Sequence, residues 1–224
     1  MADSNRKYWN QQFKILQDTW PKPVDFEKCI EICLEVHAMV HTYEVSKSGV
    51  WSFEDELWGK LAENTFRKSY DGNQSIAWKL WHSGRIEDIT MNILIADEQQ
   101  VFNTGDWYNR LKVSARDTGN AMNREEIDVL SRSIDMQALK EYRLAVGQKT
   151  RSIIKNLKPE DLKQKIATSR LIRIMDEGAV VKEAGGIIDY WSKKTCSGLL
   201  LMPATRHILV HLNESMRLVG KFDG

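Results

Sequence analysis

The sequence is poor in cysteine, has no long apolar run and carries almost no net charge. Its 224 residues include three cysteines, a small and odd number that argues against the disulfide framework of a secreted domain. No apolar run is longer than four residues, as at 199–202, whereas a membrane-spanning helix needs about 20. The 32 basic and 31 acidic residues nearly balance, and no basic stripe is present to bind phosphates. We therefore expect a cytoplasmic protein that binds neither membranes nor nucleic acid.

The motifs of several enzyme classes are missing too. The sequence contains no dinucleotide-binding GxGxxG, no Walker GxxxxGK[ST], no CxxC and no nucleophile elbow GxSxG. It also lacks Glu-x-x-His, the pair that di-iron helical bundles use. Cys196 follows two nearby lysines but has no identified partner, so we interpret it as a surface or packing thiol. The histidines remain as the main carriers of chemistry.

Helical periodicity is the strongest pattern that is present. Apolar residues at helical spacing between Trp9 and Trp20 predict an N-terminal helix that ends at Pro21. Asn123 and Glu126 have the spacing of a capping box, which predicts that a long helix begins there. No alternating strand pattern with hairpin turn residues occurs. The sequence therefore predicts an all-α fold.

The predicted helices are organised as one bundle. We expect residues 1–20 to form a helical extension and residues 21–224 to form a single helical-bundle domain. The segment 97–122 reads as a long connection, a kind of loop that often faces a partner or serves a function. The eight tryptophans are interpreted first as packing residues and only second as residues that line a ligand.

Two histidines four residues apart, His207 and His211, are the most informative feature of the sequence. On a helix this spacing puts both imidazoles on one face, one turn apart, where they can bind one divalent ion. Glu214 shares that face and is a candidate for a fourth ligand, for an acceptor that orients an imidazole, or for a base acting on bound water. The pattern lacks the glutamate that directly follows the first histidine of a zincin, which excludes that metalloprotease class. The alternative is that the two histidines have this spacing by chance and bind no metal.

A third histidine, His82, lies in the most aromatic stretch of the sequence. If the fold brings it to His207 and His211, the three imidazoles form a site with an open position, as catalytic zinc uses. The alternative is a core histidine that bonds a backbone carbonyl. Three charged residues soon after it are predicted to lie on a solvated or salt-bridged helix surface: Arg85, Glu87 and Asp88.

A second stripe of potential metal ligands occurs at intervals of four: Cys29, Cys33, His37 and His41. All four are soft or borderline ligands. Positions four residues apart drift by about 40° around a helix, so one helix can offer only neighbouring pairs to one ion. The two cysteines match the apolar stripe, which favours core packing. Either histidine can border the main site.

The segment Ile-Ala-Trp-Lys-Leu-Trp-His82, the following Arg85-Ile-Glu-Asp88 and the late His207-x-x-x-His211 resemble the DinB-like superfamily of metal-binding four-helix bundles. That family places one metal-binding histidine on its second bundle helix and two, four apart, on its last. The resemblance covers about residues 24 to 220. It departs after the last histidine, where many members have Arg-Gly-Gln and this chain has Leu-Asn-Glu.

The resemblance implies a DinB-like four-helix bundle with additional short helices and a divalent metal at His82, His207 and His211. Zinc or nickel is the metal that we expect at this site, although three imidazoles also suit copper or iron. Characterised relatives include thiol-dependent transferases and isomerases. This implies a metal-dependent transferase that uses a low-molecular-weight thiol on a small-molecule substrate, in a chain that can form a homodimer. Glu214, because it shares the face of the two histidines, is the candidate base or orienting residue. The alternative is a non-catalytic ligand-binding or interaction protein whose metal is structural or absent.

Overall fold

Helices account for the regular structure of this protein, as its periodicity predicts. The computed structural model describes residues 2–20, 23–69 and 74–222, and within these ranges it contains no strand, only an isolated antiparallel bridge between Lys165 and Thr195. The α-helices are α1 (Ala2–Thr19), α2 (Phe26–Met39), α3 (Tyr43–Ser46), α4 (Phe53–Lys60), α5 (Glu63–Arg67), α6 (Ile76–Asp88), α7 (Trp107–Leu111), α8 (Arg124–Ser133), α9 (Met136–Asn156), α10 (Thr168–Asp176), α11 (Gly186–Ser192), α12 (Cys196–Leu201) and α13 (His207–Phe222). The π-helical segments are Ile89–Ala96 and Met202–Arg206, and the 3-10 turns are Val101–Asn103, Asp161–Lys163 and Lys182–Ala184.

Side-chain caps explain where several of these helices begin. Asn123 and Glu126 form the predicted capping box at the start of α8. The long helix predicted to begin at Asn123 is in fact two helices. The chain turns at Ile134, and the Asp135 carboxylate then accepts the first backbone N–H groups of α9, a second cap that the continuous apolar periodicity concealed.

The N-terminal helix α1 is anchored by its aromatic face. Trp9, Phe13 and Trp20 are buried in the same core cluster as residues of the later helices, and the Trp9 indole donates a hydrogen bond of 3.0 Å to the carbonyl of Val36 in α2. The helix ends at Thr19. Residues 21 and 22, which include Pro21, lie outside the described residues. The predicted domain boundary falls beside them, so the division at residue 20 stays a prediction.

Helix α6 lies at the centre of the fold. It packs against α9, α13, α8 and α5, and every residue from Ile76 to Asp88 is buried. The predicted solvated surface at Arg85, Glu87 and Asp88 is therefore wrong, because α6 has neighbours on all sides. The salt-bridge part of that expectation holds, since Arg85 Nη1 lies 3.1 Å from the Asp88 carboxylate inside the core.

The connection at 97–122 is more structured than its composition predicts. It contains a 3-10 turn and α7, and the Asp88 carboxylate anchors it by accepting backbone hydrogen bonds from Val101 and Phe102. Farther along, Gly119 has φ +74° and lies so close to α6 that a Cβ there would come within 2.5 Å of the Trp81 ring. This close approach and left-handed backbone require glycine.

The eight tryptophans pack inside, which confirms that interpretation. Six of them are buried, and Trp51 and Trp58 are partly buried against the same core. Cys29, Cys33 and Cys196 are also buried, with no disulfide. Among the described helices, none has the length and apolar character required to cross a bilayer.

Candidate metal centre

The three predicted ligands, His82 of α6 and His207 and His211 of α13, lie together in the fold. The ring centroid of His82 is 5.1 Å from that of His207 and 5.2 Å from that of His211, and the last two are 4.6 Å apart. One ring nitrogen from each residue lies within 4.8 Å of the other two. We call these three histidines the open cluster. The packing of α6 against α13 brings them together.

The local structure explains how α13 presents its pair. Pro203 has no N–H, and it lies in the π-helical segment that joins α12 to α13. Regular α-helix resumes at His207. His207 and His211 therefore occupy successive turns on the side of α13 that faces α6.

Hydrogen bonds orient two of the three rings. His82 Nδ1 lies 2.6 Å from the backbone carbonyl oxygen of Thr118. Because a carbonyl only accepts, this nitrogen carries the proton and Nε2 keeps its lone pair. His211 Nδ1 lies 3.2 Å from the Glu214 carboxylate, which orients that ring in the same way. Its Nε2 is 3.1 Å from His207 Nε2, so nitrogen atoms capable of coordination face one another.

Two imidazoles of the open cluster, those of His82 and His207, are held neutral. Burial lowers the pKa of His82 to about 3, with a further contribution from the adjacent His211. Burial and the same neighbour hold the pKa of His207 well below its usual value. A metal binds the neutral form of imidazole. The His207 Nδ1 atom is buried and, among the residues that the structure describes, has no hydrogen-bond partner.

Glu214 lies on the outer side of the cluster, next to the nitrogen of His211 that points away from the other rings. Its carboxylate also accepts a hydrogen bond of 2.8 Å from Lys79 Nζ. The hydrogen bond to His211 and then Lys79 lower the pKa of Glu214 to about 2, against the raising effect of its partial burial. Of the three roles considered for Glu214, this geometry fits the acceptor that orients an imidazole. A carboxylate with so low a pKa is a weak base at neutral pH.

The remaining side of the open cluster faces a small apolar cavity. The cavity has a volume of about 80 Å³ and borders His82 and His207. It is lined further by Ile86, Asn120, Ile187, Tyr190, Trp191, Met202 and Pro203. On the opposite side, Trp78 stacks on the His82 ring with centroids 4.4 Å apart. The cluster therefore has a supported face and a face where a ligand can enter.

The donor set fits a divalent transition metal. It consists of three imidazoles from two helices, two of them with a noncoordinating nitrogen already bonded to an oxygen acceptor. Such hydrogen bonds are the usual partners of histidines that bind metals. Three protein ligands and an adjacent cavity also correspond to a catalytic rather than a filled structural site. The His82–carbonyl bond expected for a core histidine is present too, and it is compatible with coordination.

A second group of potential ligands lies elsewhere in the core. His37 and His41 of α2 meet Glu87 of α6, and one ligand atom from each lies within 4.8 Å of the others. We call these three residues the closed cluster. Core packing of Cys29 and Cys33 is confirmed by their burial, and they do not belong to either cluster.

Glu87 is the residue that sequence reasoning missed. The signal that could have found it is the composition of α6, where Trp78, Trp81, Ile86 and Leu80 leave no fully polar face. A helix that is apolar all round is buried, so a carboxylate within it needs an internal partner.

None of the protein-family models matches this chain, and no curated protein sequence matches it.

Proposed function

We propose that this protein is a DinB-like four-helix bundle that holds a divalent metal at His82, His207 and His211 and catalyses transfer with a low-molecular-weight thiol as nucleophile. The observation that carries the proposal is the convergence of three imidazoles beside a cavity. This arrangement supplies ligands for one ion and room for an exchangeable group.

The helix packing supports the bundle. Helix α2 packs against α9, α9 packs against α6, and α6 packs against α13, while α2 also contacts the π-helical segment before α13. These four helices can close a ring around the core. The predicted ligand positions, one histidine on an inner helix and two on the last, agree with the resemblance found in the sequence.

A divalent ion in such a site lowers the pKa of a bound water or thiol by several units and so yields a nucleophile at neutral pH. The protein residues position and shield this chemistry. The Thr118 carbonyl and the Glu214 carboxylate hold His82 and His211 in the coordinating tautomer, and Lys79 in turn fixes Glu214. Glu214 therefore acts as a positioning residue in this proposal.

The cavity limits what can react. Trp191 and Ile187 line it with apolar surface, and Tyr190 and Asn120 provide polar groups. A volume of about 80 Å³ is several times the roughly 10–15 Å³ that a cavity needs to hold one water. A small electrophilic group fits, whereas the bulk of a larger substrate must remain outside.

The first test is metal content, measured by elemental analysis after purification without a metal-binding tag. We expect His211→Ala and His82→Ala each to lose one equivalent of metal and all thiol-transfer activity relative to wild type. Val210→Ala is the matched control, because Val210 is exposed on the same helix. Full metal occupancy in His211→Ala would reject the assignment.

The second test separates a catalytic metal from the non-catalytic alternative. A catalytic ion in a preformed bundle should leave the fold largely intact when it is absent, so His82→Ala should keep the circular dichroism of wild type and lack transfer activity toward aryl halides with a panel of small thiols. If wild-type protein binds zinc or nickel but is inactive with every thiol and electrophile, the result would favour the alternative of an interaction protein. The burial of six of the eight tryptophans leaves that alternative little tryptophan surface.

A further inference from the structure

The closed cluster is buried completely and has a regular geometry. His37, His41 and Glu87 are each 0% exposed. His37 Nε2 lies 2.9 Å from one carboxylate oxygen of Glu87, and His41 Nε2 lies 3.2 Å from the other. The two imidazoles stack with centroids 4.3 Å apart. One carboxylate on α6 therefore faces two imidazoles on α2, with one oxygen for each ring.

Ordinary hydrogen bonding does not account for all of these atoms. His41 Nε2 and Glu87 Oε2 are buried, yet neither has a hydrogen-bond partner within the described part of the chain, although they are only 3.2 Å apart. Buried polar atoms are nearly always bonded, and leaving them unpaired is costly. Their separation is short, but their relative orientation does not form a hydrogen bond. Two such atoms can both coordinate one metal ion.

The charges around Glu87 give a second, independent argument. The neighbouring carboxylate, Glu54, is paired with Arg143 at 2.5 Å. Arg143 uses its remaining donors on the Leu80 carbonyl and the Ser83 hydroxyl. Glu87 forms ion-pair contacts only with the two histidines, as far as residues 2–20, 23–69 and 74–222 show. A buried carboxylate requires a compensating positive charge, and a divalent cation supplies it.

Glu54 also stands where it can orient a coordinating histidine. Its carboxylate lies 3.7 Å from His41 Nδ1, slightly beyond hydrogen-bond distance. A proton on Nδ1 directed toward this carboxylate leaves Nε2 with its lone pair facing Glu87. Histidines that bind metals commonly have such a carboxylate on their other nitrogen.

We propose that His37, His41 and Glu87 bind a second divalent transition-metal ion, of the zinc class, which has a structural role and joins α2 to α6. Two imidazoles and a carboxylate are suitable ligands for such an ion. Because all three ligands are inaccessible to solvent, this site holds an ion without exposing it to substrate.

The second site is separate from the open cluster. His82 and Glu87 point from the same helix in directions roughly 140° apart, at positions roughly 7.5 Å apart along its axis. Bridged two-metal catalytic sites place their ions only about 4 Å apart. The geometry therefore gives two mononuclear sites on opposite sides of α6.

The test counts zinc ions per chain in four proteins: wild type, His82→Ala, Glu87→Gln and the double variant. Each is reconstituted with zinc, freed of excess ion by gel filtration and measured by elemental analysis. We expect about two, one, one and no equivalents, since each site needs its ligands. Glu177→Gln is the control, because Glu177 is a partly buried carboxylate paired with Arg173 outside both clusters.

The outcomes distinguish this inference from the proposed function. Zinc that is lost with Glu87→Gln and retained in His82→Ala supports the closed site, whatever the fate of the open one. Zinc content unchanged by Glu87→Gln, in a variant with the circular dichroism of wild type, overturns it and leaves a protonated histidine as the partner of Glu87. If Glu87→Gln does not fold, cobalt is added to His82→Ala. The visible absorption of coordinated cobalt supports the site, and its absence overturns it.

Discussion

The open and closed clusters are built on the same plan but lie in different surroundings. Each takes two histidines four residues apart from one helix and a third residue from α6. In the open cluster the third residue is a histidine, a cavity borders the rings, and the His211 side chain is 14% exposed. In the closed cluster it is a carboxylate, and no ligand is exposed to solvent. The spacing of a histidine pair thus provides two possible metal ligands. The third residue and the access of solvent then determine whether the site can be catalytic or structural.

The different surroundings also explain why one helix can serve both clusters. His82 and Glu87 lie on different faces of α6, and packing on every side turns each face into an interior surface. The face with His82 meets α13 and the connection at 97–122, whereas Glu87 meets α2. Changes on one side of α6 should therefore affect one cluster much more than the other.

The largest effect is expected from Arg143→Met, which removes the cation that pairs with Glu54 beside the closed cluster. Arg143 counteracts burial and keeps the pKa of Glu54 below its usual value, so its loss leaves a buried carboxylate without its partner. We expect the free energy of unfolding, measured by urea denaturation, to fall by about 3–5 kcal/mol. Zinc binding at the open cluster should persist in the folded fraction.

Lys112→Met is the matched control for Arg143→Met, because Lys112 pairs with Asp135 at the surface. We expect it to change the free energy of unfolding by at most about 1 kcal/mol. If both variants lowered the free energy of unfolding equally, the buried Arg143–Glu54 pair would contribute no more to stability than a surface pair.

A smaller and more selective effect is expected from Gly119→Ala. The new Cβ would meet Trp81 and displace the backbone that carries the Thr118 carbonyl away from His82. We expect zinc affinity at the open cluster, measured by competition with a chromophoric chelator, to fall by about 10–100-fold. Affinity at the closed cluster should not change.

Gly178→Ala provides the comparison for Gly119→Ala. Gly178 also has a positive φ, of 63°, but a Cβ there would have no atom within 4 Å. Both variants pay the cost of a left-handed alanine, of about 1 kcal/mol, and only Gly119→Ala disturbs the site. If both lowered zinc affinity alike, the orienting role of Thr118 would be refuted.

The smallest effect is expected from Glu214→Gln. The amide can still accept a hydrogen bond from His211, but it no longer carries the charge that stabilises the coordinating tautomer. We expect zinc affinity at the open cluster to fall by about tenfold. Glu141→Gln, at a surface pair with Arg110, should bind zinc like wild type. An unchanged affinity in Glu214→Gln would contradict its positioning role.

Much of the secondary structure was predictable because it depends on local chemistry. The capping box at Asn123 and the aromatic stripe of α1 act through neighbours in the sequence. The pair His207 and His211 was visible for the same reason, since helical spacing alone puts both rings on one face.

The rest depends on tertiary packing that sequence spacing does not encode. The partnership of His37 and His41 with Glu87 exists only because α2 and α6 come together around buried side chains. The Thr118 carbonyl is a backbone group, so no residue type at position 118 reveals its bond to His82. The break at Ile134 was missed because apolar periodicity continues across it.

The packing of α6 between two histidine pairs has a consequence for the connectivity of the whole chain. This protein has three cysteines and no disulfide, yet an ion at the open cluster would tie residue 82 to residue 207 and close a loop of roughly 125 residues. For a permanent covalent link, such a loop removes about 5 kcal/mol of unfolded-state entropy. An ion at the closed cluster would tie His37 to Glu87, 50 residues apart, in a loop that overlaps the first. The two ions would act as interlocked, reversible crosslinks, controlled by metal supply rather than by oxidation.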